Sequence, residues 1–452
     1  MKNNVLFVLL ASCAGVAAAA SLSDVYRDAL TSDPQFAAAR ANRLAGLERT
    51  DQGRAGLLPT VGLSANTVWN DAEFNNQPRQ YNTNAYELRL TQPLLRWQNW
   101  LSYDQGKLQT AQSEAQFVQA QQDLILRVTQ AYFDVQVAAE SLRTVRAQKT
   151  AIGQQLELAK KSYEVGTATI TDTHEAQSRY DLAVAQELAG ENDLEIKRRA
   201  LQSITGKEYA ELDALRGDAA LSGPQPAAMQ PWVEGAEQSN PTVLSQQAAA
   251  EIAAREAEKS RAGHLPTLDL VATSGRNRAG FSASTGGKSE VQANTIGLFL
   301  NVPLYQGGAT SSRVREAAAQ SEAARANLDA ARRSAAQSAR QSYLGVVSGL
   351  SQVKALEAAV ASSQAALESN RLGYQVGVRI NIDVLNAEQQ LYSTRRDLSR
   401  ARYDTVLAQL RLKAAAGRLA DDDVQAVSRL LAPLPPDPVP AALPNGTATP
   451  TR

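Results

Sequence analysis

Two kinds of hydrophobic pattern follow one another along this chain, and each of them recurs. The first is a short alternation of apolar and polar residues, as where Val61 and Leu63 share one face while Gly62 and Ser64 share the other. Such a period of two predicts a β-strand with one apolar and one polar face. The predicted strands lie at about 60–70, 84–93, 267–275 and 293–302.

The second pattern is helical and very long. Apolar residues recur three or four positions apart over about 98–164 and again over about 311–375, and no proline interrupts either stretch. A helix of that length would extend for about 100 Å. Its apolar stripe is narrow, as in a coiled-coil seam rather than a globular core. Returning helices are predicted at about 171–206 and 382–417, so each long helix forms one arm of a hairpin.

The two halves of the chain are copies of one unit. Arg54-Ala-Gly-Leu-Leu-Pro59-Thr60 recurs 207 residues later as Arg261-Ala-Gly-His-Leu-Pro266-Thr267. Tyr163-Glu-Val-Gly166 recurs 211 residues later as Tyr374-Gln-Val-Gly377. A repeat of this kind indicates a duplicated structural unit, so the two halves should contain the same elements in the same order.

The repeat divides the chain into consecutive segments. We expect a signal peptide at 1–20, a first repeat at 21–206, an equatorial linker at 207–234, a second repeat at 235–417 and a tail at 418–452. Each repeat should contain a helix, two strands and a long helical hairpin. From about residue 433 the tail is rich in proline, a composition typical of disorder.

The first twenty residues have the pattern of a secretory signal. Lys2 precedes an apolar run that starts at Val5, and small residues at 17–20 offer a cleavage site. Two alternatives stay open. The stretch could anchor the protein, although spanning a bilayer needs roughly 20 apolar residues. The run Leu10-Ala11-Ser12-Cys13 could instead direct a lipid to Cys13.

Composition excludes several classes of protein. The chain has 46 basic and 46 acidic residues, so it lacks the net positive charge of a nucleic-acid-binding protein. One cysteine and two histidines cannot supply a Cys/His zinc site or a disulfide framework. The sequence also has no nucleophile motif and no glycine-rich phosphate loop. We therefore expect neither an enzyme nor a protein that needs a metal or a cofactor.

Four amphipathic strands cannot close a membrane barrel, because small membrane barrels need about eight. An open sheet edge in lipid would leave N–H and C=O groups unpaired, and each would cost several kcal/mol. If these strands face lipid, several chains must contribute to one barrel, and three chains would give twelve strands. Two alternatives stay open at this point: a small soluble β-subdomain, and an ordinary coiled-coil rod.

The motif Tyr-x-x-Gly-x-x-x-x-x-Asp-x-x-x-Ala occurs in both repeats, at 163–176 and at 374–387. The second repeat also closes with Tyr403-Asp404 followed by Gly417. Together with the duplication and the strand pair in each half, these motifs make the chain from about 22 to 417 resemble the TolC family of outer-membrane efflux and export channels.

The resemblance implies a mainly α fold with a small β part, assembled as a homotrimer. Each chain would add four strands to a twelve-stranded β-barrel in the outer membrane of a Gram-negative bacterium, and two helical hairpins to an α-barrel in the periplasm. Its partners would be outer-membrane lipid, a periplasmic adaptor protein and an inner-membrane ABC or proton-driven transporter. The implied function is export, in type I protein secretion or alternatively in multidrug efflux. A structural periplasmic coiled-coil protein is the alternative of another class.

The resemblance also implies a periplasmic gate at the hairpin tips. Asp383 lies where the family places an acidic ring at the constriction, while Asn386 makes the next ring position neutral. Gly166 and Gly377 would form the turns at the tip where the adaptor docks. Polar links between hairpins would act as a latch that holds the tip shut. The residues implied for this latch are Tyr374 and Arg379 on the second hairpin and Thr171 and Asp172 on the first.

Overall fold

A computed structural model describes residues 19–74, 76–282 and 284–433. Almost all of the predicted signal peptide, including Cys13, lies outside the described residues, and so does the proline-rich tail beyond 433.

Each half of the chain runs in the same order: helix, two strands, long helix, returning helix. The elements of the first half are α1 (Leu22–Ser32), α2 (Pro34–Ala55), β1 (Thr60–Phe74), β2 (Gln77–Leu95), α3 (Trp97–Glu164) and α4 (Ile170–Thr205). The remaining elements are β3 (Ala214–Leu215), α5 (Gln230–Ser239), α6 (Pro241–Arg261), a 3₁₀ turn (Ala262–His264), β4 (Thr267–Ser282), β5 (Gly287–Asn301), α7 (Ala309–Gln375), α8 (Asn381–Ala415), α9 (Asp421–Ser428) and β6 (Leu431–Ala432).

The strands are longer than the alternating pattern predicts. Their pairing continues up to Phe74 opposite Gln77 at one turn and Ser282 opposite Gly287 at the other. The predicted strands at 60–70 and 267–275 therefore end too early, and those at 84–93 and 293–302 start too late. The added residues are mostly polar, and backbone hydrogen bonds of a ladder do not require apolar side chains.

The linker and the tail form a belt beside the helices. β3 pairs with β6, so that Ala214 lies opposite Ala432 and residues 207–234 contact the tail. The predicted boundary at 234/235 falls inside α5, because this helix already begins at Gln230. The largest buried cluster lies here, and its aromatic members are Tyr26, Phe36, Tyr132, Phe133 and Tyr403.

The four long strands form one antiparallel sheet in the order β1-β2-β4-β5. Within the described residues the outer edges of β1 and β5 are unpaired. One face carries a band of exposed apolar side chains at the half of the sheet nearer the helices. These include Val61, Leu63, Trp69, Tyr86, Leu88, Ile296, Leu298 and Leu300. A surface of this kind needs an apolar environment to cover it.

Asp33 joins the start of the chain to the first long helix. Its carboxylate caps α2 by accepting a hydrogen bond from the Phe36 amide at 2.6 Å. It also accepts two from the Arg127 guanidinium on α3, at 2.9 and 3.1 Å. Burial alone would raise the pKa of Asp33, but the bonds from Arg127 and Phe36 outweigh it and hold that pKa below its ordinary value of 3.8.

In α7 one stretch reaches the length and apolar composition of a membrane helix, and only 11% of that stretch is buried within the single chain. The same helix packs against α5, α6 and α8. Since a core helix can have the same composition, this stretch does not identify a membrane span.

Candidate functional site

The two hairpins turn with the same backbone geometry. Gly166 has φ 75° and Gly377 has φ 80°, a left-handed conformation that favours glycine. In each turn an amide bonds back to the carbonyl five residues before it: Thr167 to Ser162 and Val378 to Gly373, both at 2.8 Å. These bonds satisfy carbonyls at the end of the long helix and set the chain on its return path.

The returning helices begin differently. Thr169 and Asp172 form a reciprocal capping box at the start of α4, since Asp172 accepts hydrogen bonds from the Thr169 amide at 3.0 Å and its hydroxyl at 2.8 Å. At the start of α8 the cap position is Ile380, which has no side-chain hydrogen bond to offer. There the Arg379 guanidinium instead lies 3.7 Å from the Asp383 carboxylate, four residues further along the same hairpin.

The four residues of the predicted latch do not meet within one chain. Asp172 is engaged in its capping box and Arg379 faces Asp383. Tyr374 packs against the apolar cluster inside its own hairpin, and Thr171 is exposed. In the described part of this chain, therefore, the predicted links between hairpins are not formed, and any such latch would have to form between chains.

The predicted constriction positions lie on the first two turns of α8. The Asp383 side chain is about one-third exposed, and Asn386 is exposed. The Asn386 side-chain oxygen accepts a hydrogen bond of 3.2 Å from Arg179 on α4. The same guanidinium donates to the Gln389 side chain at 2.6 Å. Sequence reasoning missed Arg179, because a contact between two hairpins leaves no periodic signal.

Two more polar contacts hold α8 near the tip. On α3, Gln155 donates to the Asn381 side chain at 2.5 Å, and this links the first hairpin to the first turn of α8. Within the second hairpin, Arg371 on α7 donates to the Glu388 carboxylate at 2.6 Å. Glu388 is only 1% exposed, and removal of the partner from such a buried ion pair is strongly destabilising.

Nearer the belt, a buried tyrosine connects both hairpins to the linker. The Tyr403 hydroxyl on α8 donates to the Glu140 carboxylate on α3 at 2.9 Å. It accepts a hydrogen bond of 3.0 Å from the Leu215 amide of β3. Burial and the neighbouring carboxylate raise the pKa of Tyr403, so the hydroxyl keeps its proton. This contact fixes α8 at the belt, far from the tip.

Metal ligands are not assembled in the described ranges, where no three His, Cys, Asp or Glu side chains are placed to hold an ion. The chemistry of this site is therefore that of amides, guanidinium groups and carboxylates facing one another across helices. Such groups can hold helices together and can set the charge along a passage.

The model of the family described as "Outer membrane efflux protein" matches residues 25–207 and 232–418, which correspond to the two halves of the fold. The chain belongs to this family. Outer membrane protein TolC of Vibrio cholerae is 35% identical over 412 residues, covering 91% of this chain and 93% of the relative. The alkaline protease secretion protein AprF of Pseudomonas aeruginosa is 33% identical over 420 residues, covering 91% and 87%.

Another relative is the proteases secretion protein PrtF of Dickeya chrysanthemi, which is 32% identical over 434 residues, covering 94% of this chain and 94% of the relative. Among solved structures, the outer membrane protein VceC of Vibrio cholerae matches with a TM-score of 0.75 at 20% identity, over 88% of this chain and 96% of that one. The MtrE channel of Neisseria gonorrhoeae matches with a TM-score of 0.73 at 20% identity, over 89% and 91%.

These matches confirm the predicted family and the mainly α fold with long hairpins. They also confirm an outer-membrane export channel of a Gram-negative bacterium. A periplasmic coiled-coil rod without a channel, the alternative of another class, does not fit this family. The family consists of transport proteins rather than enzymes.

Proposed function

We propose that three copies of this chain form one channel that passes secreted proteins through the outer membrane in a type I secretion system. The observation that carries this proposal is the four-stranded sheet, whose two edges have no partner strand among the residues that the structure describes and whose one face is apolar and exposed. The relatives named for protease secretion support the protein cargo.

The sheet is suited to ring closure. Every neighbouring pair in β1-β2-β4-β5 is antiparallel, so the two edge strands β1 and β5 run in opposite directions. When β5 of one copy pairs with β1 of the next, the antiparallel alternation continues around the ring. Such a head-to-tail contact closes when the rotation between copies fits a whole number of copies. Three copies give twelve strands, within the range of membrane barrels.

The helical part also has surfaces to cover. Exposed apolar side chains lie on α3, α4 and α7, and they include Val118, Leu158, Leu188, Ile196, Leu344 and Val347. Isolated hairpins with such narrow buried seams leave much apolar surface in water, which neighbouring copies would bury. The tunnel wall would therefore be completed between chains, as the barrel would.

A cysteine experiment tests the ring. The only cysteine in the sequence is Cys13, within the predicted signal, so introduced cysteines have no competitor in the mature chain. Ala65→Cys on β1 is combined in turn with cysteine at Thr295, Ile296 or Gly297 on β5. We expect at least one pair to give disulfide-linked dimers and trimers in the outer membrane, visible on gels without reductant.

The matched control joins Ala65→Cys to Tyr86→Cys, which lie opposite each other on β1 and β2 of one chain. That pair should form a disulfide within the monomer only. If the β1–β5 pairs give no linked species while the control oxidises, the edge strands do not meet and the proposed trimer is wrong.

The proposed gate lies at the hairpin tips. Asp383 and Asn386 from three copies would form rings at the constriction, and Tyr374 and Arg379 of one copy would meet Thr171 and Asp172 of the next. Exposed charge pairs contribute only about 0–1 kcal/mol each, so a docking partner could open such a gate. Replacing Tyr374 and Arg379 together should raise the conductance in planar bilayers, and an unchanged conductance would reject this latch.

The turns at Gly166 and Gly377 would dock the periplasmic adaptor, which in turn would connect to the inner-membrane transporter. Apolar side chains stand exposed around both turns, with Val165 74%, Val376 66% and Val378 78% exposed. Val378→Asp and Val165→Asp should therefore weaken co-purification with an adaptor without lowering the amount of folded channel. Loss of folded channel itself would instead assign these side chains to structure.

A second candidate function is export of small toxic molecules by a multidrug pump. The relative BepC of Brucella suis, an outer membrane efflux protein, supports it at 26% identity over 306 residues. Deletion of the gene separates the two uses. Loss of a secreted protein with unchanged antibiotic sensitivity supports secretion, and the reverse result supports efflux.

A further inference from the structure

Arg179 makes three hydrogen bonds near the tip, one from each nitrogen of its guanidinium group. Its Nε donates to Glu175 on the same helix at 3.1 Å. Its Nη1 donates to Gln389 at 2.6 Å and its Nη2 to Asn386 at 3.2 Å, and both acceptors lie on α8 of the other hairpin. The planar guanidinium thus has one side fixed by its own helix and the other side joined to α8.

The surroundings of Arg179 bring the two hairpins together at the same level. Leu385 on α8 is 2% exposed and packs with Ile152 of α3 and Ala183 of α4. A cavity of about 40 Å³ remains beside this contact, and Arg179 is among the side chains that line it. At this level an apolar contact and the hydrogen bonds of Arg179 hold α8 on the first hairpin, and the bond from Gln155 to Asn381 adds a second polar link at the first turn of α8.

The two repeats differ at this point. At the offset of 211 residues, Arg179 corresponds to Gln390 and Glu175 corresponds to Asn386. The guanidinium of Arg179 therefore lies between Glu175 and Asn386, the residue that occupies the position of Glu175 in the second repeat. The contact runs in one direction only, from the first hairpin to the second, whereas a packing feature common to both repeats would occur twice.

We infer that Arg179 is a positioning residue of the gate, which holds the start of α8 on the first hairpin and places a positive charge beside the constriction. This inference rests on the proposed gate at Asp383 and Asn386. The Asn386 side chain is a neutral acceptor, so the bond is weaker than a pair with a carboxylate would be. Loss of Arg179 should loosen the start of α8 and remove one positive charge from the surroundings of the Asp383 ring.

Conductance of the purified oligomer in planar bilayers tests the inference. We expect Arg179→Gln to raise the open fraction by roughly tenfold. This corresponds to a loss of about 1.4 kcal/mol from the free energy that stabilises the closed state. The reversal potential in a salt gradient should also shift towards cation preference. Arg179→Lys should give the reversal potential of the wild type, because it keeps the positive charge. Its open fraction should stay above that of the wild type, because lysine lacks the planar guanidinium that bonds to two acceptors at once.

Arg146→Gln is the matched control. Arg146 on α3 bonds to Glu187 at 3.1 Å and to Glu191 at 2.6 Å, both within the first hairpin. Its loss removes an arginine that also hydrogen-bonds to glutamate side chains but does not touch α8, so the open fraction should stay as in the wild type. If the two substitutions have equal effects, Arg179 has no role beyond that of an ordinary ion pair, and the inference is overturned.

Asn386→Asp gives a test with a change of sign. With Arg179 present, the new carboxylate should pair with the guanidinium and lower the open fraction. With Arg179→Gln in the same chain, the carboxylate has no such partner, and it should instead increase conductance for cations. An effect of Asn386→Asp that does not depend on residue 179 contradicts the inference.

Spin labels on cysteines at the exposed positions Ser178 and Gln390 report the separation of α4 and α8 directly. Arg179→Gln should lengthen and broaden the distance distribution, and Arg146→Gln should not. An unchanged distribution overturns the inference even where the protein conducts. If the wild type itself gives no conductance, the proposed channel assembly fails, and the label distances still decide the role of Arg179.

Discussion

Leu63 and Ser64 are neighbours on β1 that point to opposite faces of the sheet, and they provide a matched pair of substitutions. Leu63 is 73% exposed on the apolar face and lies opposite Leu88 of β2. Ser64 lies opposite Glu87 on the polar face. In the proposed barrel the first faces lipid and the second faces the water-filled interior, so arginine should be tolerated at one position and not at the other.

The difference should be large. An arginine on the lipid face near the bilayer midplane costs about 2–4 kcal/mol in each chain. Because three chains carry the substitution, the Leu63→Arg barrel should lose about 6–12 kcal/mol. That is comparable with the whole stability of an ordinary folded protein, about 5–15 kcal/mol. Ser64→Arg leaves its guanidinium in water and should change stability by about 0.5 kcal/mol or less.

The assay measures the fraction of each variant that is recovered from outer membranes as a heat-dissociable trimer, at matched expression. We expect near wild-type recovery for Ser64→Arg and almost none for Leu63→Arg. Equal recovery of the two variants, or a larger loss for Ser64→Arg, would mean that the apolar face of this sheet is not in contact with lipid.

Contacts elsewhere in the chain lead to three more expected outcomes. The pKa of Asp33 is held below 3.8, so its pairing with Arg127 stabilises the fold fully above that pH and is lost as the pH falls through the lower folded-state pKa. Between about pH 5 and pH 2, the free energy of unfolding from urea melts should therefore fall by about 1–3 kcal/mol more in the wild type than in Asp33→Asn. Gly377→Ala adds a Cβ at φ 80° that would contact no described residue beyond its chain neighbours within 4 Å, so backbone strain should weaken the turn by about 1–2 kcal/mol and speed proteolysis there. Arg371→Leu leaves the buried Glu388 carboxylate unpaired and should cost about 3–5 kcal/mol in urea melts, most of it recovered by adding Glu388→Gln.

The long helices could be predicted from the sequence because their signals are local and repeated. The predicted helix at 98–164 lies within one residue of α3, and the predicted 311–375 within two residues of α7. Both are proline-free and both end at a turn that needs a glycine with positive φ. The strands were harder, because their outer halves are polar and lose the alternation that marked them.

The candidate site could be predicted only in part. The turns at Gly166 and Gly377 follow from local conformation, whereas the contacts of α8 depend on how two hairpins rotate against each other. Arg179 therefore could not be assigned from spacing. The role of Asp172 could have been read, since Thr169-x-x-Asp172 before a helix is a capping-box pattern that competes with any latch.

Single-channel conductance of the purified, mass-determined oligomer in planar lipid bilayers tests most directly whether three copies of this chain form a channel. We expect a trimer that inserts and gives discrete, long-lived conductance steps, one step for each trimer, which grow or lengthen when Arg179 is replaced. A folded trimer from the outer membrane that gives no steps, with or without Arg179, would mean that this chain does not form a conducting channel.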